Sequence, residues 1–359
     1  MQSPLVRPVY QFFVGVDIAY RDFTVASLVP GTKPKREPKP FEQTGKGFEH
    51  FQTLLRESGI EPASILVVME ATGSYWVALA TTLHQAGFAV SVINPAQAHY
   101  FAKAQLKRAK NDALDAQTLA ELAQALVPTC WTPPPHIYHE LYQRLVQRLN
   151  LQELRTHVNN QLHALSVSPV IVPEVRLRLI QLIATLEQQL AQIDNEIAQV
   201  VQSTEQENDQ QETSVESRWK RSITLLLTIP GVGMMTACWL VVATLNFTLC
   251  ETPEAAVHYV GLTPIERRSG TSVRGRAQIG HGGHARARTV LYLATLTAAR
   301  YNPVIKTCFD RLRDAGKPTK VARCACARKL LLLAFAVVRH GQAFNPNYQT
   351  AVNKSAISA

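Results

Sequence analysis

Several patterns that would assign this chain to common protein classes are missing from its sequence. No apolar run approaches the roughly 20 residues that a membrane span needs, and residues 1–9 are polar with two prolines, unlike a signal peptide. The six cysteines form no Cys-x-x-Cys pair, which argues against a structural zinc site and for a reducing compartment. We therefore expect a cytoplasmic protein with no membrane segment.

Acidic residues are in the minority, and this imbalance indicates the kind of partner. The chain carries 27 acidic and 37 basic residues, a formal net charge of +10 and a pI of about 9.4. Such a balance favours a polyanionic partner, either nucleic acid or acidic lipid. At 359 residues the chain is long enough for two or three domains.

Two short apolar runs each end in an acidic residue. Residues 12–16 lead into Asp17, and residues 65–69 lead into Glu70. Runs this short and rich in β-branched residues are typical of buried strands. A carboxylate at the carboxyl end of a buried strand lies at the sheet edge where α/β folds place their sites.

A second acidic pair, Asp112 and Asp115, opens a helical segment. A spacing of three puts both carboxylates on one helix face. Four converging carboxylates repel one another unless a cation neutralises them, and hard oxygen ligands suit Mg²⁺, with Mn²⁺ as an alternative. Taken alone, Asp112 is also a good N-cap candidate.

The order of elements in the N-terminal part is three strands, helix, strand, helix, strand, helix. This is the order of an RNase H-like (RuvC-like) fold, an α/β class. The predicted strands are 12–18, 23–29, a short third strand after the Pro- and Lys-rich residues 33–40, 64–70 and 89–93. The predicted helices are 47–58, 74–86 and 112–126.

The rest of the chain is predicted to be all-α. Leucines at intervals of three and four over 137–165, including Leu154, and over 179–200, including Leu182, indicate two long helices separated by breaks at Pro169 and Pro173. We predict an antiparallel coiled-coil arm, followed by a polar linker at 202–216. The resulting domains are 1–135, 136–217 and 218–345, with a disordered tail at 346–359.

The C-terminal domain begins with a helix-hairpin-helix pattern. Residues 225–243 form helix, tight turn and helix, and the turn contains Gly231 and Gly233. Such a turn exposes backbone N–H groups at a helix N-terminus, where a phosphate can bind. Further helices are predicted at 288–300 and 318–339.

Residues 267–276 place two serines, Ser269 and Ser272, among arginines. One interpretation is a solvated basic loop that grips phosphates. The other is a serine nucleophile, activated in a positive field that also stabilises developing charge. The spacing of these residues in the sequence does not decide between the two interpretations. It also does not decide whether Ser269 or Ser272 would be the nucleophile. The candidate nucleic-acid contacts, apart from the glycine turn, are Lys103, Lys107, Arg108, Lys110, Arg267, Arg268, Arg274, Arg276, Arg286 and Arg288. For the four that precede Asp112, the alternative is a solvated helix face.

Several motifs together resemble one family, over roughly residues 12–345. The matching segments are Val14–Asp17, Glu70–Tyr75, Val92–Pro95, Lys110–Ala116, Ile229–Gly233, Gly261–Pro264 and Arg268–Gly275. The chain resembles the transposases of DEDD-type insertion sequences, the Piv-like or IS110 family. Members of this family are serine recombinases guided by a structured bridge RNA.

The resemblance implies roles for particular residues. It implies that Asp17, Glu70, Asp112 and Asp115 hold Mg²⁺ and that Ser269 forms a covalent 5′-phosphoserine link to DNA. It also implies target and donor DNA and a guide RNA as partners, and assembly into dimers and tetramers through the arm, with the serine reaching the acidic site of another protomer. The Gln/Glu-rich segment near 202–216 departs from the family pattern.

Three other functions compete with this one. In a RuvC-like nuclease, metal-activated water attacks and Ser269 only binds phosphate. In a non-catalytic scaffold, the glycine turn and the arm bind DNA without strand transfer. An actin-like ATPase needs a Gly-rich turn after Asp17, and residues 18–21 supply none.

Overall fold

The computed structural model describes residues 9–29, 38–106, 111–203, 214–265, 268–269, 273–274, 278–280 and 282–347, with backbone pairing alone for 268–269 and 273–274. The chain divides into two compact units, Met1–Pro133 and Pro134–Ala359. Across the described ranges, no helix is both long and apolar enough to cross a membrane. Most of the tail, 348–359, lies outside these ranges.

The first unit is a mixed five-stranded sheet with helices, as the strand and helix order predicts. The strands are β1 (Phe12–Ile18), β2 (Asp22–Leu28), β3 (Lys39–Glu42), β4 (Ile65–Glu70) and β5 (Ala89–Ile93). Their spatial order is β3-β2-β1-β4-β5. The first three strands pair antiparallel, whereas β4 runs parallel to both β1 and β5.

The helices of this unit are α1 (Gly45–Arg56), α2 (Trp76–Gln85), α3 (Pro95–Ala104) and α4 (Asp112–Leu126). Residues of β1 alternate between the two faces of the sheet. Val14 and Val16 pack in one core with α1 and α2, whereas Phe13 packs in another with α4. Every residue of β4 before Glu70 is buried, because helices cover both faces.

Gly15 allows α4 to approach β1 closely. A Cβ at this position would lie 2.1 Å from the carbonyl oxygen of Ala116 and 2.3 Å from the amide nitrogen of Ala120. The backbones of helix and strand are therefore in direct contact. This contact fixes the first turn of α4 beside the carboxyl end of β1.

The sequence prediction gives the bounds of α4 correctly but misses α3. Helix α3 begins at Pro95 directly after Asn94, whose side chain accepts a hydrogen bond from the backbone N–H of Ala96 at 2.9 Å. Asn at the N-cap followed by Pro at the first helical position is a helix-start signal.

The second unit begins with two long antiparallel helices, α5 (His136–Ser166) and α6 (Pro173–Gln202). Ion pairs between the two helices give their direction. Arg148 of α5 pairs with Asp194 of α6. Arg155, which lies later in α5, pairs with Glu187, which lies earlier in α6, so the helices run antiparallel. Pro173 occupies the first turn of α6. It starts this helix, because proline is tolerated where no intrahelical N–H is needed.

The apolar seam between α5 and α6 differs in part from the predicted one. Leu154 is 53% exposed and Leu182 is 46% exposed, so neither belongs to the buried seam. Val158, Leu186 and Leu190 are buried as the pattern predicts, and Leu151, which the pattern does not include, is buried with them. Leucines spaced three or four apart can be assigned to the wrong stripe when several are present on one helix.

The remaining helices form the body of the second unit and share one core with the base of α5 and α6. They are α7 (Val215–Leu227), α8 (Met234–Ala243), α9 (Pro253–Val260), α10 (Ala285–Tyr301), α11 (Pro303–Asp314) and α12 (Thr319–His340). Seven of the ten residues of α8 are buried, which makes it the central helix. The region is mainly helical, as expected, although α9 and α11 were missed.

Between α9 and α10 the chain forms short antiparallel strand pairs that the sequence did not predict. Strand β6 (Pro264–Ile265) pairs with β9 (Gln278–Ile279), and β7 (Arg268–Ser269) pairs with β8 (Val273–Arg274). We refer to these two nested strand pairs together as the hairpin. Within it, Ser269 pairs with Val273.

Candidate functional site

Asp17 and Glu70 lie side by side at one edge of the sheet. The preceding residues, Val16 and Met69, are direct partners in the parallel β1–β4 ladder, and adjacent strands are about 4.8 Å apart. Val16 and Met69 both face the α1–α2 core. Because successive side chains alternate, Asp17 and Glu70 face the opposite side, which α4 covers.

The first turn of α4 brings the other two carboxylates to the same side. Asp112 is the first residue of α4, and Asp115 directly precedes Ala116, which contacts Gly15. The N-cap is Asn111, whose Oδ1 accepts from the backbone N–H of Leu114 at 2.8 Å. The side chain of Asp112 therefore does not cap the helix, and this residue is exposed.

The side chains at this edge are not arranged as a closed ligand set. The Oγ1 of Thr72 donates a hydrogen bond to Oε1 of Glu70 at 2.6 Å. In the part of the chain that the structure describes, no three His, Cys, Asp or Glu side chains form a group that could hold a metal ion. The fold brings the elements that carry the four carboxylates together, and side-chain rotation would have to complete any cation site.

A basic segment leads into this acidic edge. Lys103 is exposed in the last turn of α3, which packs against α4. Lys107, Arg108 and Lys110 lie outside the described residues. Lys103 is therefore the described cation of this predicted cluster.

The candidate serine lies in β7, the first strand of the inner pair of the hairpin. The backbone of Ser269 pairs with Val273, and that of Arg268 pairs with Arg274. Arg267, Ser272 and Arg276 lie outside the described residues. The backbone of Ser269 is therefore held by its pairing with β8.

The base of the hairpin is a close crossing of two glycines. A Cβ on Gly261 would lie 2.2 Å from the carbonyl oxygen of Gly282, and a Cβ on Gly283 would lie 2.5 Å from the amide nitrogen of Gly261. Both Gly261 and Gly283 have positive φ angles, of 79° and 83°. Only glycine fits this crossing, since a side chain would meet backbone on both strands.

Arg288 holds this crossing together. Its Nη1 donates to the carbonyl oxygen of Val260 at 3.1 Å, on the chain entering the hairpin, and to that of Gly282 at 2.7 Å, on the chain leaving it. The guanidinium proposed to contact nucleic acid is thus hydrogen-bonded to the protein's own backbone. Sequence reasoning missed this role, because its partners are carbonyl groups that no sequence motif marks.

Two neighbours of Arg288 at the start of α10 also have local partners. His284 is the N-cap, and its Nδ1 accepts from the backbone N–H of Ala287 at 3.3 Å. Burial lowers the pKa of His284, and the charges of Arg286 and Arg288 lower it further. Arg286 pairs with Glu153 of α5 at 3.6 Å. The imidazole is therefore a neutral hydrogen-bond acceptor.

The glycine turn between α7 and α8 packs on α10. Gly231 has φ of 96°, and a Cβ there would lie 2.5 Å from the Cβ of Ala298. The Nδ2 of Asn302 donates to the carbonyl oxygen of Pro230 at 3.3 Å. Gly233 is the N-cap of α8, with open space where a Cβ would be. Gly231 is needed for packing, whereas Gly233 leaves the start of α8 accessible.

Comparison with known proteins gives matches over both units. A family model described as Transposase, of the IS110 DEDD type, matches residues 14–166, and a model described as Transposase IS116/IS110/IS902 family matches residues 223–310. The first range contains all four carboxylates. The second contains the glycine turn and the hairpin.

Individual proteins are similar over nearly the whole length. The pilin gene-inverting protein of Moraxella bovis is 26% identical over 335 residues, which is 93% of this chain and 97% of that protein, and that of Moraxella lacunata matches to the same extent. An uncharacterized 43.6 kDa protein of insertion element IS110 from Streptomyces coelicolor is 30% identical over 132 residues, or 37% of this chain and 32% of its own. The chain belongs to the IS110 family of transposases, and its activity is DNA recombination.

Proposed function

We propose that this transposase cuts and rejoins DNA by using the four carboxylates as a Mg²⁺ site and Ser269 as the nucleophile. The main support is the convergence of three elements at one sheet edge, namely the carboxyl ends of β1 and β4 and the first turn of α4. The strand order, with three antiparallel strands followed by two parallel ones, supports an RNase H-like fold.

The donor chemistry fits a hard divalent cation. Asp17, Glu70, Asp112 and Asp115 would supply carboxylate oxygens, which Mg²⁺ and Mn²⁺ prefer. Bound there, the cation would polarise the scissile phosphate and stabilise the leaving oxygen. Without it, four carboxylates beside a phosphodiester would repel the substrate.

The serine step is a transesterification that conserves bond energy. The Ser269 hydroxyl loses its proton to solvent or a base as Oγ bonds to phosphorus, and the bond from phosphorus to the 3′ oxygen breaks. That oxygen takes up a proton and leaves as a 3′ hydroxyl. In the second step a DNA 3′ hydroxyl attacks, the Oγ–phosphorus bond breaks, and the serine regains its proton. No external energy source is required.

The remaining parts of the proposal concern partners. The antiparallel α5–α6 pair would act as a coiled-coil arm through which protomers assemble as dimers or tetramers, with the serine of one reaching the acidic edge of another. The α7–α8 turn would act as a helix-hairpin-helix that binds a phosphate at Gly233. A structured guide RNA would select target and donor sites. Because the Moraxella relatives carry the name pilin gene-inverting protein, inversion of a DNA segment is a plausible variant of the same chemistry.

A covalent protein–DNA adduct tests the proposal. The native protein is incubated with labelled target DNA, guide RNA and Mg²⁺, and the products are separated on a denaturing gel. We expect a slow, protease-sensitive band that is absent in Ser269→Ala and present in the matched control Ser272→Ala. An adduct that persists in Ser269→Ala would defeat the serine assignment.

The same gel distinguishes the serine mechanism from its main alternative. A RuvC-like nuclease that uses metal-activated water would cut the DNA equally well with Ser269→Ala and would form no adduct. Cleavage without a covalent band in both proteins would favour that function.

A further inference from the structure

Three arginines from two helices line one cavity in the second unit, remote in sequence from the hairpin. Arg218 and Arg221 lie on α7, three residues apart and therefore on one helix face. Arg339 lies in the last turn of α12. Together with Asn246 they line a cavity of about 400 Å³. Three positive charges around one opening of this size need a counter-charge.

The described part of the protein supplies no such counter-charge. Its ion pairs join arginines of α5 and α10 to carboxylates, and none of them involves Arg218, Arg221 or Arg339. Both α7 arginines are exposed. Arginine is a weakly hydrated, planar donor that suits phosphate oxygens, so three arginines without an ion pair in the described part of the chain favour a phosphate ligand.

One of the three arginines is held in place by the protein. The Nη2 of Arg339 donates to the carbonyl oxygen of Cys250 at 2.7 Å, and its guanidinium carbon lies 5.2 Å from the centre of the Phe335 ring. This side chain is fixed before any ligand arrives, which lowers the entropy cost of binding. The side chains of Arg218 and Arg221 would then adjust their positions to the ligand.

The wall of the cavity is an unusual backbone turn. Leu245, Asn246 and Phe247 all have positive φ angles, of 46°, 57° and 59°, although none is glycine. Residues other than glycine rarely adopt this conformation, and a run of three is rarer still. Strained backbone persists when the surroundings over-determine it, and it is concentrated at binding sites.

The turn also contains a polar atom without a partner. The Oδ1 of Asn246 is buried and has no hydrogen-bond partner among the described residues. The turn is otherwise well bonded, since the backbone N–H of Phe247 donates to Thr244 Oγ1 at 2.9 Å and that of Asn246 donates to Val241 at 2.7 Å. Because an amide oxygen accepts hydrogen bonds, it would not contact a phosphate oxygen, and the donors of the site are the arginines.

We infer that the cavity between Arg218, Arg221 and Arg339 binds a backbone phosphate of nucleic acid, at a site separate from the acidic sheet edge and the hairpin. A phosphodiester can come from the DNA substrate or from an RNA, and the pocket recognises the chemistry they share. The choice of nucleic acid over a free anion rests on the family assignment and does not depend on the proposed serine chemistry.

The test is a salt titration of binding by the full-length protein. Fluorescence anisotropy measures the affinity for a 30-base-pair DNA duplex and, separately, for an RNA hairpin. The variant is Arg218→Gln/Arg221→Gln, with Arg339 unchanged because it supports the turn. The matched control is Lys306→Gln/Arg311→Gln, which removes the same charge from exposed positions of α11. Thermal melting of each variant verifies folding.

For one lost phosphate contact, the slope of log affinity against log salt should become shallower by about 0.9 on duplex DNA. We expect this change in the α7 variant and a smaller one in the control. An effect confined to the duplex identifies DNA as the source, and an effect confined to the hairpin identifies RNA. Arg218→Lys/Arg221→Lys should keep the native slope, since it keeps both charges.

Equal effects of the α7 variant and the control, on both probes, would overturn the inference. The salt dependence of binding would then reflect the overall charge of the protein and not a contact in the cavity. Formation of the covalent adduct is measured independently at saturating DNA, where the α7 variant should still form it. The pocket and the serine mechanism can therefore fail separately.

Discussion

The guanidinium of Arg288 donates to the carbonyl oxygen of Gly282 at 2.7 Å, and this bond ties α10 to the chain leaving the hairpin that carries Ser269. A second bond from the same nitrogen reaches Val260 on the entering chain. One side chain therefore joins the chain segments on either side of the hairpin.

Arg288→Ala should destabilise the protein by about 1–3 kcal/mol, because two backbone carbonyls lose a charged donor. It should also reduce covalent capture of DNA, while DNA affinity changes little. Arg286→Ala is the matched control, since Arg286 and Glu153 form an exposed pair worth less than about 1 kcal/mol. Chemical denaturation and the adduct gel measure both effects. Equal behaviour of the two variants would contradict the clamp.

Gly15→Ala should destabilise the first unit by about 3 kcal/mol, since its methyl group would collide with the backbone of α4 at Ala116 and Ala120. Gly45→Ala provides the control, because Gly45 begins α1 and a Cβ there meets nothing within 4 Å. It should be neutral or stabilising by about 0.4–1 kcal/mol. Thermal unfolding compares the two, and a harmless Gly15→Ala would mean that α4 can move away from β1.

Asp17→Asn should reduce recombination at least about 100-fold in Mg²⁺, since even outer-shell changes at metal sites cost 10–100-fold. The protein should still fold. Glu70, Asp112 and Asp115 variants should behave likewise, and combined variants should be little worse than single ones, because residues that act as a unit are non-additive. Glu49→Gln, on the exposed face of α1, is the control. Native activity in Asp17→Asn would refute the acidic site.

Acidification should weaken the start of α10 through His284. Its pKa is lowered in the folded protein, so the unfolded chain binds a proton more readily. The resulting loss of stability begins as the pH falls through the unfolded value of about 6.5 and ends below the lowered folded value. A protonated Nδ1 can no longer accept from Ala287.

His284→Asn keeps a hydrogen-bond acceptor at the N-cap, its Oδ1 in place of the ring Nδ1, but removes the titration. Melting temperatures at pH 7.5 and 5.5 should therefore differ less in this variant than in the native protein. If the two proteins lost equal stability on acidification, His284 would not be the responsible group.

The sequence by itself determined the strands that carry Asp17 and Glu70 and the bounds of α4. Each signal is local, since a run of β-branched residues or a capped helical segment is decided by neighbours in the chain. The starts of α3 and α11 were equally local, at Asn94-Pro95 and Asn302-Pro303. They could have been predicted from the same capping rules.

Only the tertiary structure decided the relationships between distant segments. The contact of Gly15 with α4, the crossing of Gly261 and Gly283 and the bond from Arg288 to Gly282 join residues whose identities carry no sign of one another. The convergence of Arg218 with Arg339 is of the same kind. Every residue has a backbone carbonyl, and one glycine does not differ from another in a sequence. The partners of these groups are therefore set by packing alone.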